Sequence, residues 1–114
     1  MASPLFTIDV AHPPRPPDVV EEELLRTLAK IRNSPVHRVL KVVHGYGSSG
    51  RGGTTRETVR HWAFRRRRDL RAVIEGERYA LGDPATQELR RGVGQYADAD
   101  IGRCNPGITI LWVK

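Results

Sequence analysis

Val39-Leu40-Lys41-Val42-Val43-His44-Gly45-Tyr46-Gly47-Ser48-Ser49-Gly50 is the stretch that decides how this chain is read. Its first half is a short apolar run, the pattern of a buried strand, and it delivers a histidine directly into a glycine-rich loop. After the loop, Thr54-Thr55 opens a basic amphipathic segment that reads as a helix to about Arg68, with Val59, Trp62 and Ala63 as its apolar stripe. Strand, glycine loop and helix start together form a phosphate-binding geometry. Glycines let backbone N–H groups close on an oxyanion, and the first helical turn adds partial positive charge. His44 at the strand exit, with Gly45, Tyr46, Gly47, Ser48, Gly50 and Arg51 along the loop, are therefore candidate phosphate contacts. A nucleotide-binding Walker loop is excluded, because Gly50-Arg51-Gly52-Gly53 lacks the Gly-Lys-Ser/Thr ending.

Upstream, Leu5 to Val10 alternates with period 2 and reads as a first strand, with Phe6, Ile8 and Val10 on one face and Thr7 and Asp9 on the other. Four prolines within residues 12 to 17 make a stiff extended connector. Asp18 then reads as an N-cap, and Val20, Leu24, Leu28 and Ile31, with Leu25 beside them, mark one amphipathic helix ending near Asn33-Ser34-Pro35. The second strand is expected over 36–43, parallel to the first across a right-handed crossover. Downstream, Leu70 to Ile74 reads as a third strand and Asp83-Pro84 as the cap and first residue of a short helix through Arg91. Residues 92–107 read as loop, and Ile108 to Val113 as the closing strand. The expectation is an α/β two-layer sandwich, β-α-β-α-β-(α)-β, with a mixed four-stranded sheet and helices mainly on one face. One domain spans 1–114, its core about 5–113.

The charge is local. The chain of 114 residues carries a net +6, and eight arginines against two acidic residues between Arg51 and Arg71 account for all of it. Such a patch favours a polyanionic partner, DNA or RNA, and Arg65 and Arg66 are its expected contacts. Cys104 is the single cysteine, so no intramolecular disulfide forms, which fits a reducing compartment. The N-terminus lacks the apolar run of a secretory leader, and no apolar stretch is long enough to cross a membrane. A cytoplasmic protein without a membrane partner is expected.

If the first two strands are parallel neighbours, their carboxyl ends lie side by side, which is where ligands bind in open α/β sheets. Asp9 and His12 then sit at one exit, and His44 with the glycine loop at the other. Helices on a single face would leave the Thr7/Asp9 face open, with Lys41 joining it on the second strand. A carboxylate flanked by cations on an open sheet face suits phosphodiester chemistry. Asp9 fits a general base or a metal ligand, and the cations and loop N–H groups fit phosphate. No zinc-ligand spacing is present.

Phe6-Thr7-Ile8-Asp9-Val10-Ala11-His12, the Glu- and Leu-rich helix, Val42-Val43-His44-Gly45-Tyr46-Gly47-Ser48-Ser49-Gly50, and Asn105-Pro106-Gly107 before the last strand together resemble the small MutS-related (Smr) domain family. That family has a Leu-Asp-Leu-His-Gly strand end and a second His-Gly-x-Gly loop. The resemblance covers roughly residues 5 to 74 and 102 to 113, and leaves about 75–102 as an expected family insertion. It implies a two-layer domain that binds DNA or RNA and, in many members, nicks it as an endonuclease, with the first-motif Asp and His catalytic. Asp9 matches the first position, but Ala11 stands where the His belongs, and His12 comes one residue late. A strand turns over at each step, so either a bulged strand end lets His12 compensate or cleavage is impaired. The resemblance also implies that the second motif is a substrate-binding loop; Asp9, His12 and His44 are the catalytic candidates of this chain, and Mg²⁺ is a candidate cofactor if it is a nuclease. The alternative is a non-catalytic nucleic-acid-binding or adaptor domain that has lost the first-motif histidine.

Overall fold

The structure, a computed structural model, describes residues 3–46 and 51–114, and of residues 51–53 only the backbone. Strand β1 (Leu5–Asp9) leads into helix α1 (Pro17–Arg32), strand β2 (Val39–Val43), helix α2 (Arg51–Arg65), strand β3 (Leu70–Glu75), helix α3 (Pro84–Val93) and strand β4 (Ile108–Val113). Short 3₁₀ turns at Arg67–Asp69 and Gly76–Arg78 flank β3. Helix α1 begins at Pro17 with Pro16 as its N-cap, two residues earlier than the Asp18 cap implies, because a proline at the first helical position forfeits no hydrogen bond. Helix α2 begins at Arg51, earlier than the Thr54-Thr55 start read from the sequence. At α3 the expected cap forms, Asp83 Oδ2 accepting from the Thr86 N–H at 2.9 Å.

The sheet runs β1-β2-β4-β3. β1 and β2 are parallel, with Asp9 opposite Val43, and β4 is antiparallel to both β2 and β3. The composition of each strand explains its place. β2 and β4 are buried along nearly their whole length, as strands covered on both faces must be, whereas β1 and β3 alternate between sheltered and exposed residues. The chain's last strand is thus inserted at the centre, and its third strand is an edge.

Helices α1 and α2 cover one face. Val20, Leu24, Leu28 and Ile31 of α1 and Val59, Trp62 and Ala63 of α2 pack on Leu40, Val42, Leu111 and Val113. Each buried aliphatic side chain of this seam contributes about 1.5–3 kcal/mol relative to exposure, which outweighs any one polar contact on the surface. The opposite face is not open. Leu89 of α3 and Tyr79 and Tyr96 of the flanking segments lie with Val39, Ile74, Ile108 and Ile110 in a second cluster. What remains uncovered of that face is the edge strand β1, where Thr7 and Asp9 are exposed.

Candidate active site at the strand exits

β1 ends at Asp9, and there the backbone turns. The Asp9 side chain causes the turn: Oδ1 accepts from the N–H of Ala11 at 2.8 Å and of His12 at 3.0 Å. The imidazole of His12 folds back, its Nδ1 lying 2.9 Å from Asp9 Oδ2. A bulge is therefore unnecessary. Strand alternation governs the chain through Val10, whose N–H still donates to the Val43 carbonyl at 2.9 Å, and stops there, so lying one residue late does not keep His12 from its carboxylate. Burial works against ionisation of Asp9, but the Ala11 N–H, the His12 ring and the His12 N–H outweigh it and hold the carboxyl below its ordinary range. The His12 side chain is 74% exposed and, among the described residues, its Nε2 makes no hydrogen bond. Arg15, from the proline-rich connector, donates to the Asp9 carbonyl at 2.9 Å and lies 3.7 Å from Glu23. Pro14, Arg15 and Pro16 face Thr54 of α2 across a groove of about 330 Å³.

One strand over, His44 has the opposite fate. It is fully buried. Its Nδ1 lies 2.7 Å from the Gly45 carbonyl and its Nε2 2.8 Å from Thr109 Oγ1, whose oxygen in turn accepts from Arg60 Nε at 3.1 Å. A carbonyl can only accept, so Nδ1 carries the proton and Nε2 accepts from the Thr109 hydroxyl. Burial, with the Arg60 and Arg56 cations adding to it, pushes the His44 pKa down to about 4, against the pull of the Gly45 carbonyl. A neutral, fully bonded, solvent-excluded ring does not touch a substrate. His44, read from sequence as catalytic, is held inside the core between the Gly45 carbonyl and Thr109. Gly45 needs a similar correction: its N–H and that of His44 both donate to the Gly107 carbonyl, at 3.0 and 2.9 Å, so they are not available to phosphate. Its φ of +70° explains the glycine.

Lys41 was expected on an open face among phosphate ligands. It is 8% exposed, and its ammonium meets Asp98 Oδ1 at 2.7 Å and Asp100 Oδ2. Burial opposes its charge, but the two carboxylates more than compensate and raise its pKa. Tyr79 donates to Asp98 Oδ2 at 3.0 Å and lies 2.7 Å from the Tyr96 hydroxyl, so the cluster pins the 94–107 segment to the sheet. Lys41 is thereby a structural cation.

Arg65 and Arg66 stand at the far end of α2, about 20 Å from its first turn at 1.5 Å per residue. Arg65 pairs with Glu21 of α1 at 2.9 Å, and the Arg66 guanidinium lies 6.0 Å from the centre of the Trp62 ring. Arg60 turns inward to Glu75 and Glu77, so the arginine run is not one continuous surface. Tyr46 is exposed. Gly47, Ser48, Gly50 and the Arg51 side chain lie outside the described residues. Thr109 and Arg15 were missed by the sequence reading. The signal for Thr109 was a lone hydroxyl inside an apolar central strand; for Arg15 there was none beyond its place among prolines.

Among the described residues, no group of three or more His, Cys, Asp or Glu side chains converges as metal ligands, so Mg²⁺ has no preformed cage there. No described helix is long and apolar enough to cross a membrane. No protein-family model and no curated protein matches the chain by sequence. By structure, the crystal structure of the Smr domain of Thermus thermophilus MutS2 superposes with a TM-score of 0.55 at 15% identity, covering 96% of each chain. Identity that low carries the architecture and not the chemistry, and the chain is thus an Smr-like domain in fold.

Proposed function

We propose that this domain binds nucleic acid across the exits of β1 and β2 and cleaves a phosphodiester there, with Asp9 and His12 as the catalytic pair. The observation that carries the reading is the contact between Asp9 Oδ2 and His12 Nδ1 at 2.9 Å. A carboxylate on Nδ1 fixes the ring's orientation and its Nδ1–H tautomer, which leaves Nε2 as a base directed away from Asp9. Nε2 then takes the proton of the attacking oxygen, from water or an RNA 2′-hydroxyl, as that oxygen bonds to phosphorus; Asp9 stabilises the imidazolium, the P–O bond to the leaving sugar oxygen breaks, and solvent water protonates that oxygen. The exposed ring and the neighbouring groove admit a polymer backbone, which a closed pocket would not. The net charge of +6 attracts such a polymer. Likeness in fold to an Smr domain supports a nucleic-acid-binding or nuclease-type domain at a coarse level.

The test is nicking of supercoiled plasmid, and cleavage of an RNA of mixed structure, with and without Mg²⁺. Asp9→Asn and His12→Ala are expected to abolish cleavage. Asp9→Asn should keep or strengthen binding, because it removes a negative charge close to bound phosphate, worth about 1 kcal/mol or less at an exposed site. Full activity in Asp9→Asn would end the catalytic reading and leave a non-catalytic binding module.

A further inference from the structure

Beyond the exit of β2 lies a second groove, of about 460 Å³, lined by Tyr46, Asp100, Arg103, Cys104, Asn105 and Pro106. Tyr46 is 56% exposed, a large aromatic surface left in water at the sheet edge where ligands bind. Its root is nonetheless fixed. A Cβ at Gly107 would lie 3.1 Å from Asn105 Oδ1, 3.3 Å from Tyr46 Cδ1 and 3.4 Å from the Gly45 Cα, so a side chain there would crowd the ring's inner edge. The same Gly107 accepts the His44 and Gly45 N–H groups through its carbonyl, tying the segment before Tyr46 to β4.

The polar groups of the groove sort into occupied and unoccupied. Asn105 is spent, its Nδ2 donating to Asp100 Oδ1 at 3.2 Å and its Oδ1 accepting from the Gly107 N–H at 2.9 Å. Asp100 shares the single Lys41 ammonium with Asp98, and the Arg103 charge also acts on it. Arg103 is exposed, and among the described residues its guanidinium makes no hydrogen bond or ion pair. The groove therefore offers an exposed aromatic plate and, beside Asp100, one exposed guanidinium that makes no hydrogen bond among the described residues. The ligand that matches both is a flat π-system carrying an anion. In a duplex, base faces are closed by their neighbours; only an unpaired base can lay its face on a tyrosine.

We infer that Tyr46 stacks an unpaired nucleobase while Arg103 holds an adjoining phosphate, so that this domain takes single-stranded nucleic acid in preference to duplex. The inference rests on the nucleic-acid reading above and adds the substrate class. Asp9 lies opposite Val43, three residues before Tyr46, so the groove and the Asp9–His12 pair share one end of the sheet.

The test uses the full chain and a short single-stranded oligonucleotide carrying a fluorescent base analogue, beside the same sequence as a duplex. Wild-type protein should bind the single strand more tightly and quench the analogue. Tyr46→Ala should weaken single-strand binding by roughly 5- to 150-fold, the worth of one base–aromatic stack, and abolish quenching. Its duplex binding and thermal transition should not change, and Tyr46→Phe should behave as wild type. Arg103→Ala should flatten the single-strand log–log salt slope by about 0.7 and leave quenching intact. Wild-type binding of single strand with Tyr46→Ala unaffected overturns the inference alone, as does an equal loss for single strand and duplex. Failure of the wild-type protein to bind either probe overturns it together with the reading it rests on.

Discussion

β1 and β2 leave the sheet side by side, and each is followed by a histidine, yet the two rings end in opposite environments. After β1, the Asp9 carboxylate collects two backbone N–H groups, turns the chain, and meets an imidazole that is 74% exposed. After β2, the chain stays extended for one more residue, which places His44 on the face that α2 covers, and it is bonded only to a carbonyl and a hydroxyl. The first exit puts a carboxylate–imidazole pair in water, and the second puts a neutral ring in the core. What separates them is the residue's side of the sheet and the character of its partner, not its type. An exposed ring held by a carboxylate can exchange protons with a ligand. A buried ring held by neutral groups can only hold its loop in place.

The largest expected effect tests whether β2 contributes ligands at all. Lys41→Met removes the cation from between Asp98 and Asp100, and the Asp98 side chain is only 4% exposed. Breaking a buried pair from one side costs about 3–5 kcal/mol, because the remaining carboxylate stays desolvated. Urea denaturation is expected to record that loss. Unchanged stability with weakened nucleic-acid binding would instead return Lys41 to the site and bring the two exits closer in kind.

A smaller effect, on the order of 3 kcal/mol, follows from His44. Its folded-state pKa of about 4 lies below the ordinary 6.5. As pH falls through that window, the unfolded chain takes up a proton that the native ring refuses, so stability falls with it. Conversely, this contribution is fully present above pH 6.5. Denaturation midpoints measured from pH 7 down to pH 4.5 should slope accordingly, and His44→Asn should flatten the slope. Imidazole NMR signals of a ring that titrates near its ordinary value would contradict the burial argument directly.

The sequence exposed the element order because that order is written in local periodicity. The α1 stripe of Val20, Leu24, Leu28 and Ile31 and the α2 stripe of Val59, Trp62 and Ala63 are both buried as their spacing requires. Asp83 caps α3 as its Asp-Pro start implies. The candidate site was legible only as far as local chemistry reached. Asp9 and His12 meet through a turn of three residues, a turn that strand alternation argued against because it assumed the strand continued. The partners of Lys41 lie 57 and 59 residues away, and Thr109 lies 65 residues from His44. Nothing in the segment around either residue announces them. The position of β4 between β2 and β3 has the same origin, since strand neighbours are chosen by packing across the whole chain.

The smallest effects concern the arginine run, where counting charges could not say which are spent. Arg65 is paired with Glu21, and a phosphate has to compete with that carboxylate for its guanidinium. Arg68 is exposed and has no such competitor among the described residues. Arg65→Ala should cost less than about 1 kcal/mol of stability, since both partners are well solvated, and should change the duplex salt slope little. Arg68→Ala should leave stability unchanged and, if Arg68 touches phosphate, flatten the log–log slope by about 0.9. Glu21→Gln provides the converse: freeing Arg65 should steepen the slope without adding a residue to the patch. A larger change for Arg65→Ala than for Arg68→Ala would mean that the Glu21 pair opens on binding. The nucleic-acid path would then cross from the strand exits over the seam between α1 and α2, with the charge at the far end of α2 guiding it toward the Asp9–His12 pair.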